Sequence, residues 1–302
     1  MFEKLEQLGL LRPLAELSPF EQRTQDLETV RLFMGSGFEV ARTETISIPR
    51  LREDGKIPLR IYYPFVESTG QKNPVIVFIH GGGFITGEFL SVHETCCMLS
   101  IESRTVVVSV DYRLAPEHKF PLGLNDCYSA TMWVSENAGQ LGADPAKLVV
   151  AGDSAGGNLA TVVCLLAREK SMPKIALQGL IYPVTDLSRD MAEYSGVRYG
   201  PSMEEMESHA KYYLGNKADT LNPLVSPILA ELYDLPHTVM ITAGNDPLRE
   251  QDVDYAAKLE SAGVKVNLYD YSSMVHGFFT LPSYFPQGGE AIEAIAKHIR
   301  KL

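Results

Sequence analysis

Cysteine is scarce in this chain: four in 302 residues, Cys96, Cys97, Cys127 and Cys164, with no Cys-x-x-Cys pair among them. Adjacent residues such as Cys96 and Cys97 do not easily bridge, so a disulfide framework is not expected. Buried small apolar side chains in a reducing compartment are. Basic residues are also short: 27 Lys and Arg stand against 38 Asp and Glu, a formal net charge of −11. That balance disfavours a phosphate backbone and hence nucleic acid as partner; a solvated acidic surface accounts for it. No apolar run reaches the length of about 20 residues that a bilayer-spanning helix needs. The opening MFEKLEQLGLLRP lacks a basic stretch followed by an apolar one, so neither a signal peptide nor membrane insertion is expected. A soluble, cytoplasmic protein is. His-Glu-x-x-His and clustered ligand spacings are missing too, so no metal is expected. No internal repeat or low-complexity linker divides the chain.

What is present is a core. Hydrophobic residues make up 45% of the chain, enough for one large α/β unit and too many for a disordered one. The first forty residues read as helical. Ser18-Pro19-Phe20-Glu21 is a capping box with proline at the first helical position, and Phe20, Leu27, Val30 and Met34 follow on one face until Gly35-Ser36-Gly37. Two strands around an Asp54-Gly55 turn come next. Short apolar runs at 75–80, 105–111, 147–152, 177–183, 238–244 and 264–271 then alternate with helical patterns near 92–102, 122–136, 157–167, 248–262 and 290–301. Such alternation means a mostly parallel sheet covered by helices on both faces. One long interruption, about 187–225, carries a second capping box at Ser202 to Glu205 and sits where lids are commonly inserted.

The stretch VVAGDSAGGNLA puts Ser154 between Gly152 and Gly156. Gly-Asp-Ser also opens the nucleophile segment of trypsin-type proteases, but those need an all-β double barrel and a catalytic serine that comes last in the chain. Here Ser154 follows a strand and precedes a helix, the setting of a nucleophile elbow. His80-Gly81-Gly82-Gly83-Phe84 closes the strand that supplies oxyanion donors in that fold, with Ala155 as the second source. Of Gly81, Gly82 and Gly83, the latter two are favoured. The fold orders its triad Ser, acid, His. Asp246 ends one strand and His276 follows the next; Asp186, at the end of an earlier strand, is the rival acid.

On HGGGF, DYRLAPEHKFP, GDSAGGNLA, DPLRE and HGF, spread over about 75–278, the chain resembles the hormone-sensitive-lipase-like bacterial esterases with a Gly-Asp-Ser-Ala-Gly-Gly elbow. The resemblance implies an α/β-hydrolase fold with an eight-stranded sheet and a helical cap. Residues 1–45 would form the N-terminal cap segment and 46–302 the catalytic domain, with a cap insertion at about 187–225. It implies hydrolysis of short- to medium-chain esters by Ser154, Asp246 and His276 through an acyl-enzyme, without a cofactor. Glu117 and His118 read as structural, in a loop that holds the oxyanion loop. A lipase or amidase on the same triad, or a non-catalytic receptor of the kind plant gibberellin receptors resemble, are the alternatives; the triad histidine counts against the receptor. Whether the protein is a homodimer stays open.

Overall fold

The computed structural model describes residues 5, 7, 12–35, 37–51, 53–65, 72–189 and 200–302. Eight strands form one sheet in the order β1-β2-β4-β3-β5-β6-β7-β8. They are β1 (Arg42–Pro49), β2 (Lys56–Tyr63), β3 (Asn73–Ile79), β4 (Val106–Val110), β5 (Ala143–Asp153), β6 (Leu177–Ile181), β7 (His237–Asn245) and β8 (Val266–Val275). β2 runs against both its neighbours, and every pairing from β4 to β8 is parallel. The first hairpin turns at Gly55, whose φ of +106° needs no side chain in the way. β1 starts at Arg42, ahead of the segment boundary placed at residue 45.

Strand alternation divides the interior. Leu148 and Val150 of β5 join the larger core, while Val149 and Ala151, one residue out of phase, join the other. α3 (Leu122–Asn137), α4 (Ala155–Glu169) and α6 (Arg249–Ser261) cover the first face through Leu124, Cys127, Leu159, Val163 and Leu259. α2 (His93–Ser103) and α7 (Pro286–Ile299) cover the second through Cys96, Leu99, Ile292 and Ile295. All four cysteines are free and buried. The parallel strands at the centre are apolar on both faces because helices bury both.

Two further helices lie outside these layers. α1 (Pro19–Phe33) is capped by Ser18, whose Oγ accepts from Glu21 N while Glu21 returns a carboxylate to Ser18 N. α5 (Met203–Tyr213) has the same box at Ser202 and Glu205. The apolar face expected for α1 is displaced. Phe20 is 76% exposed, whereas Gln22, Val30 and Phe33 are buried. Gln22 turns this face inward because its amide nitrogen donates to the carbonyls of Leu14 (2.8 Å) and Leu17 (3.1 Å), which fixes the rotation of the helix. Met34 lies past the helix end as its C-cap. Of the segments read as cap, residues 1–4, 6, 8–11 and 190–199 lie outside the described residues, as do Ser36 and the side chain of Met203.

Asp252, on α6, is fully buried with neither carboxylate oxygen hydrogen-bonded. Burial first, and then the charge of Asp246, push its pKa well above the ordinary carboxylate value. The folded chain therefore keeps a proton there to higher pH than the unfolded chain does. Folding takes up that proton, so this residue erodes stability as pH rises above about 4, by up to about 1.4 kcal/mol per unit. Asp252→Ala should gain on the wild type in urea midpoint between pH 5 and pH 8. A difference that does not change with pH would show that Asp252 is not held neutral.

Candidate active site

β5 runs into α4 through a single residue, Ser154, at φ 53° and ψ −120°. A non-glycine residue holds that backbone only where its surroundings impose it. Here they do. A Cβ on Gly156 would overlap the carbonyl oxygens of Ile79 and His80, and one on Gly152 would overlap the carbonyl of Gly156. Glycine at both positions lets the start of α4 press against the end of β3, and the turn throws the Ser154 side chain up from the sheet.

Its Oγ lies 2.9 Å from His276 Nε2. The other imidazole nitrogen, Nδ1, is 2.6 Å from Asp246 Oδ2. Asp246 sits at the carboxyl end of β7, and its second oxygen accepts from Leu248 N at 2.9 Å, which fixes the carboxylate in the turn before α6. The carboxylate is an acceptor, so Nδ1 carries the proton and Nε2 is left to accept from Ser154. Burial lowers the imidazole pKa, but the charge of Asp246 and its hydrogen bond outweigh this, so His276 is raised above the ordinary value of 6.5. The rival acid is not in this chain of contacts. Asp186 spends one oxygen on the N–H groups of Ser188 and Arg189 and the Ser188 hydroxyl, a local turn.

The oxyanion loop divides its glycines. Gly81, expected among the donors, has its N–H committed to Asp153 Oδ1 at 2.9 Å. A Cβ there would also overlap one oxygen of that carboxylate, Oδ2, and the Asp153 main-chain carbonyl oxygen, so the residue is a close-approach point rather than a donor. Gly82 (φ +102°) and Gly83 (φ +59°) turn the backbone, and no acceptor within the described residues takes their N–H groups. Ala155, first residue of α4, presents an N–H that the helix cannot use. The loop is braced by the segment 111–121: Tyr112 Oη donates to His80 O (3.0 Å), and Ala115 N donates to Phe84 O (2.9 Å). Arg113 fixes that segment by forked contacts to the buried Asp126 carboxylate. Glu117 is held by Arg23 of α1 at 2.7 and 2.8 Å.

Above Ser154 is a cavity of about 380 Å³, walled by Gly82, Gly83, Ser154 and His276 from the sheet side and by residues of α1 and α5, among them Val30 and Met206. A second cavity, about 480 Å³, is lined by Arg23, Asp26, Glu88 and Asp111 and includes none of the Ser154 group. Two site residues were given no role by the sequence: Asp153, although it lies inside the elbow motif, and His209, which has no motif. Asp153 is buried and raised to about 6, by burial first, against the Gly81 hydrogen bond. His209 of α5 lays the face of its ring against Gly83, with Nδ1 nearest.

A family model described as alpha/beta hydrolase fold matches residues 76–280. The chain belongs to this family. Within it, the match is to the hormone-sensitive-lipase-like esterases. The chain is 34% identical over 294 residues to the esterase LipI of Mycobacterium tuberculosis, covering 91% of this chain and 92% of that one. It is 37% identical over 255 residues to an arylesterase of Saccharolobus solfataricus, covering 82% and 81%. Among solved structures, the hyperthermophilic esterase of Pyrobaculum calidifontis superposes with a TM-score of 0.91 at 37% identity, over 99% of this chain and 96% of that one. This alpha/beta hydrolase is a carboxylic ester hydrolase. Among its described residues no helix is long and apolar enough to cross a membrane, and no group of His, Cys, Asp and Glu could hold a metal ion.

The elbow predicts its own fragility. A methyl group on Gly156 would have to displace two main-chain carbonyls, so Gly156→Ala should destabilise this hydrolase by about 3 kcal/mol. The measurement is the urea midpoint; a change within error would mean that β3 and α4 are not in the contact described.

Proposed function

We propose that this hydrolase cleaves short- to medium-chain acyl esters through an acyl-enzyme formed on Ser154. The observation that carries the reading is the unbroken run of short contacts from Ser154 Oγ through His276 to Asp246. As Oγ attacks the ester carbonyl carbon, its proton passes to His276 Nε2, and the imidazolium formed is stabilised by the ionised Asp246. The carbonyl oxygen becomes an oxyanion beside the N–H groups of Gly82, Gly83 and Ala155, which are in place before the charge develops. The intermediate collapses by expelling the alcohol, which takes the proton from His276, and leaves the acyl group on Ser154. Water then attacks the acyl-enzyme while His276 removes its proton. The carboxylic acid departs, and Oγ regains its hydrogen. Every proton in the cycle moves at His276 Nε2, and no cofactor is called on.

The substrate class rests on the cavity and on a relative. An ethyl acetate hydrolase of Pseudomonas putida is 33% identical to this chain over 300 residues, covering 96% of this chain and 94% of that one. The space of about 380 Å³ between the sheet and the helices α1 and α5 suits a small acyl group. We take α1 and α5 as the cap, since both contribute walls to that space.

Four outcomes follow. Ser154→Ala should lower kcat by several orders of magnitude with the fold retained, the residual rate coming from binding and the oxyanion donors; ordinary turnover in this variant would refute the mechanism. Asp246→Asn should lose far more activity than Asp186→Asn, because only Asp246 holds the imidazole tautomer. The base must be neutral in the free enzyme, so kcat/KM should rise with pH through an apparent pKa above the imidazole value of about 6.5. A p-nitrophenyl ester measured across mildly acidic to mildly alkaline pH tests this, and a flat profile with chemistry limiting contradicts a histidine base. Each acyl methylene that reaches an apolar wall should raise kcat/KM by up to about fourfold. Activity should climb from acetate to about butyrate or hexanoate and then fall; a rise continuing to long chains would assign the cavity to a lipase.

A further inference from the structure

Tyr182 follows directly on β6 and is fully buried. It nevertheless holds a φ of +33°, a region that a bulky residue occupies only where its surroundings impose it. Those surroundings are the elements of the site. One residue earlier, Ile181 O accepts from Ser154 N at 2.8 Å; two residues later, Val184 N donates to Ser154 O at 3.2 Å. Between these two clasps, Tyr182 N donates at 2.7 Å to Ile241 O of β7, the strand that ends beside Asp246. The segment is thus tied to the backbone of the serine on both sides and to the strand that leads to the acid. The Tyr182 ring meets the third member of the group. Its centroid lies 4.4 Å from that of the His276 imidazole, with the two planes inclined at 49°. That is the close end of the separations of about 4.5–7 Å at which aromatic rings pair.

The two hydrogen bonds of His276 leave one motion open. Both are made at ring nitrogens, Nδ1 to Asp246 and Nε2 to Ser154, and such bonds act in the plane of the ring. Two in-plane contacts define a line, and the imidazole can still tip about it, because its χ2 torsion is soft. Tipping turns the Nε2 lone pair away from the Ser154 hydroxyl. A third contact on the ring, away from that line, restrains the motion. We propose that Tyr182 is a positioning residue that supplies this third contact and holds the His276 imidazole in plane with the proton it must take from Ser154. The proposal rests on the Ser154 mechanism above. Tyr182 acts through His276 and not on the substrate, since it is not among the walls of the cavity above Ser154. The strained backbone is what makes this a built feature: the turn that carries the ring is anchored to the nucleophile whose proton the ring helps to move.

The test compares Tyr182→Leu, which removes the ring, with Tyr182→Phe, which keeps it, on p-nitrophenyl butyrate. Acylation and deacylation both use His276, so they should slow together: kcat should fall about tenfold in Tyr182→Leu with KM unchanged. Tyr182→Phe should keep a kcat close to that of the wild type. A wild-type kcat in Tyr182→Leu overturns the proposal, as does a loss carried by KM, or a Tyr182→Phe enzyme as slow as Tyr182→Leu. Should Tyr182→Leu fail to fold, nuclear Overhauser contacts in the wild type decide. Those between the Tyr182 and His276 rings should be present in the free enzyme and persist when an alkyl phosphonate occupies Ser154. Contacts missing from the free enzyme, or lost on phosphonylation, overturn it. Failure of the underlying mechanism has a separate signature, ordinary turnover of the same ester by Ser154→Ala.

Discussion

The site depends on one backbone contact, the start of α4 against the last carbonyls of β3. Gly156 faces Ile79 O and His80 O with no room for a methyl group. That closeness forces Ser154 into its positive φ and puts its hydroxyl above the sheet. It also places the turn after β3 directly beside the nucleophile, so that Gly82, Gly83 and Ser154 line one cavity. Oxyanion stabilisation requires donors fixed before the reaction, because reorganising them during it would cost what they supply. Here the fixing agents are main-chain hydrogen bonds: Gly81 N to Asp153, Tyr112 Oη to His80 O, Ala115 N to Phe84 O. The Tyr112 ring also stacks on His80, with centroids 4.4 Å apart. Gly81, though it belongs to the motif, works as a strut.

Burial sorts the ionisable groups around the site. His80 and His209 are both driven down to about 4 by burial and stay neutral. Asp153 is driven up to about 6. His276 alone among these imidazoles has a carboxylate in contact, and it alone is raised. Three histidines within one region thus have different work because of what each ring nitrogen touches: a carbonyl for His80, an amide oxygen for His209, a carboxylate for His276. Only the last can stabilise a transferred proton.

This sorting also explains what could be read from the chain. The alternation of short apolar runs with helical patterns, the glycines around Ser154 and the order serine, acid, histidine are local or ordered signals. The sheet and the contacts of Ser154, Asp246 and His276 follow them. Both capping boxes were legible because the cap is a four-residue motif. The inward face of α1 was not. Hydrophobic periodicity favoured Phe20, but the rotation is set by Gln22, a polar residue whose partners are carbonyls in the preceding turn. Gly82 and Gly83 were favoured over Gly81, but the reason was not local: the Gly81 N–H is taken by a carboxylate 72 residues away in the chain. His209 had no motif at all; its place is set by the packing of α5 over Gly83.

The helix α1 links these levels. Arg23 donates to Ile85 O (2.8 Å) and Ala115 O (2.9 Å) and grips the Glu117 carboxylate. Ile85 N in turn bonds Gly82 O at 3.0 Å. The adjacent residue of α1, Gln22, holds His209. A single helix, barely amphipathic and with an exposed phenylalanine at its start, is thus pinned to the oxyanion loop through Arg23 and to α5 through Gln22. The wall of the cavity and the donors beneath it are joined by hydrogen bonds to main-chain carbonyls, which are directional, and not by apolar packing alone, which is not. A directional tether keeps the cavity in register with the donors while leaving its apolar lining free to vary. In this chain, selectivity among acyl groups can change through residues such as Val30 and Met206 without disturbing the geometry on which the chemistry rests.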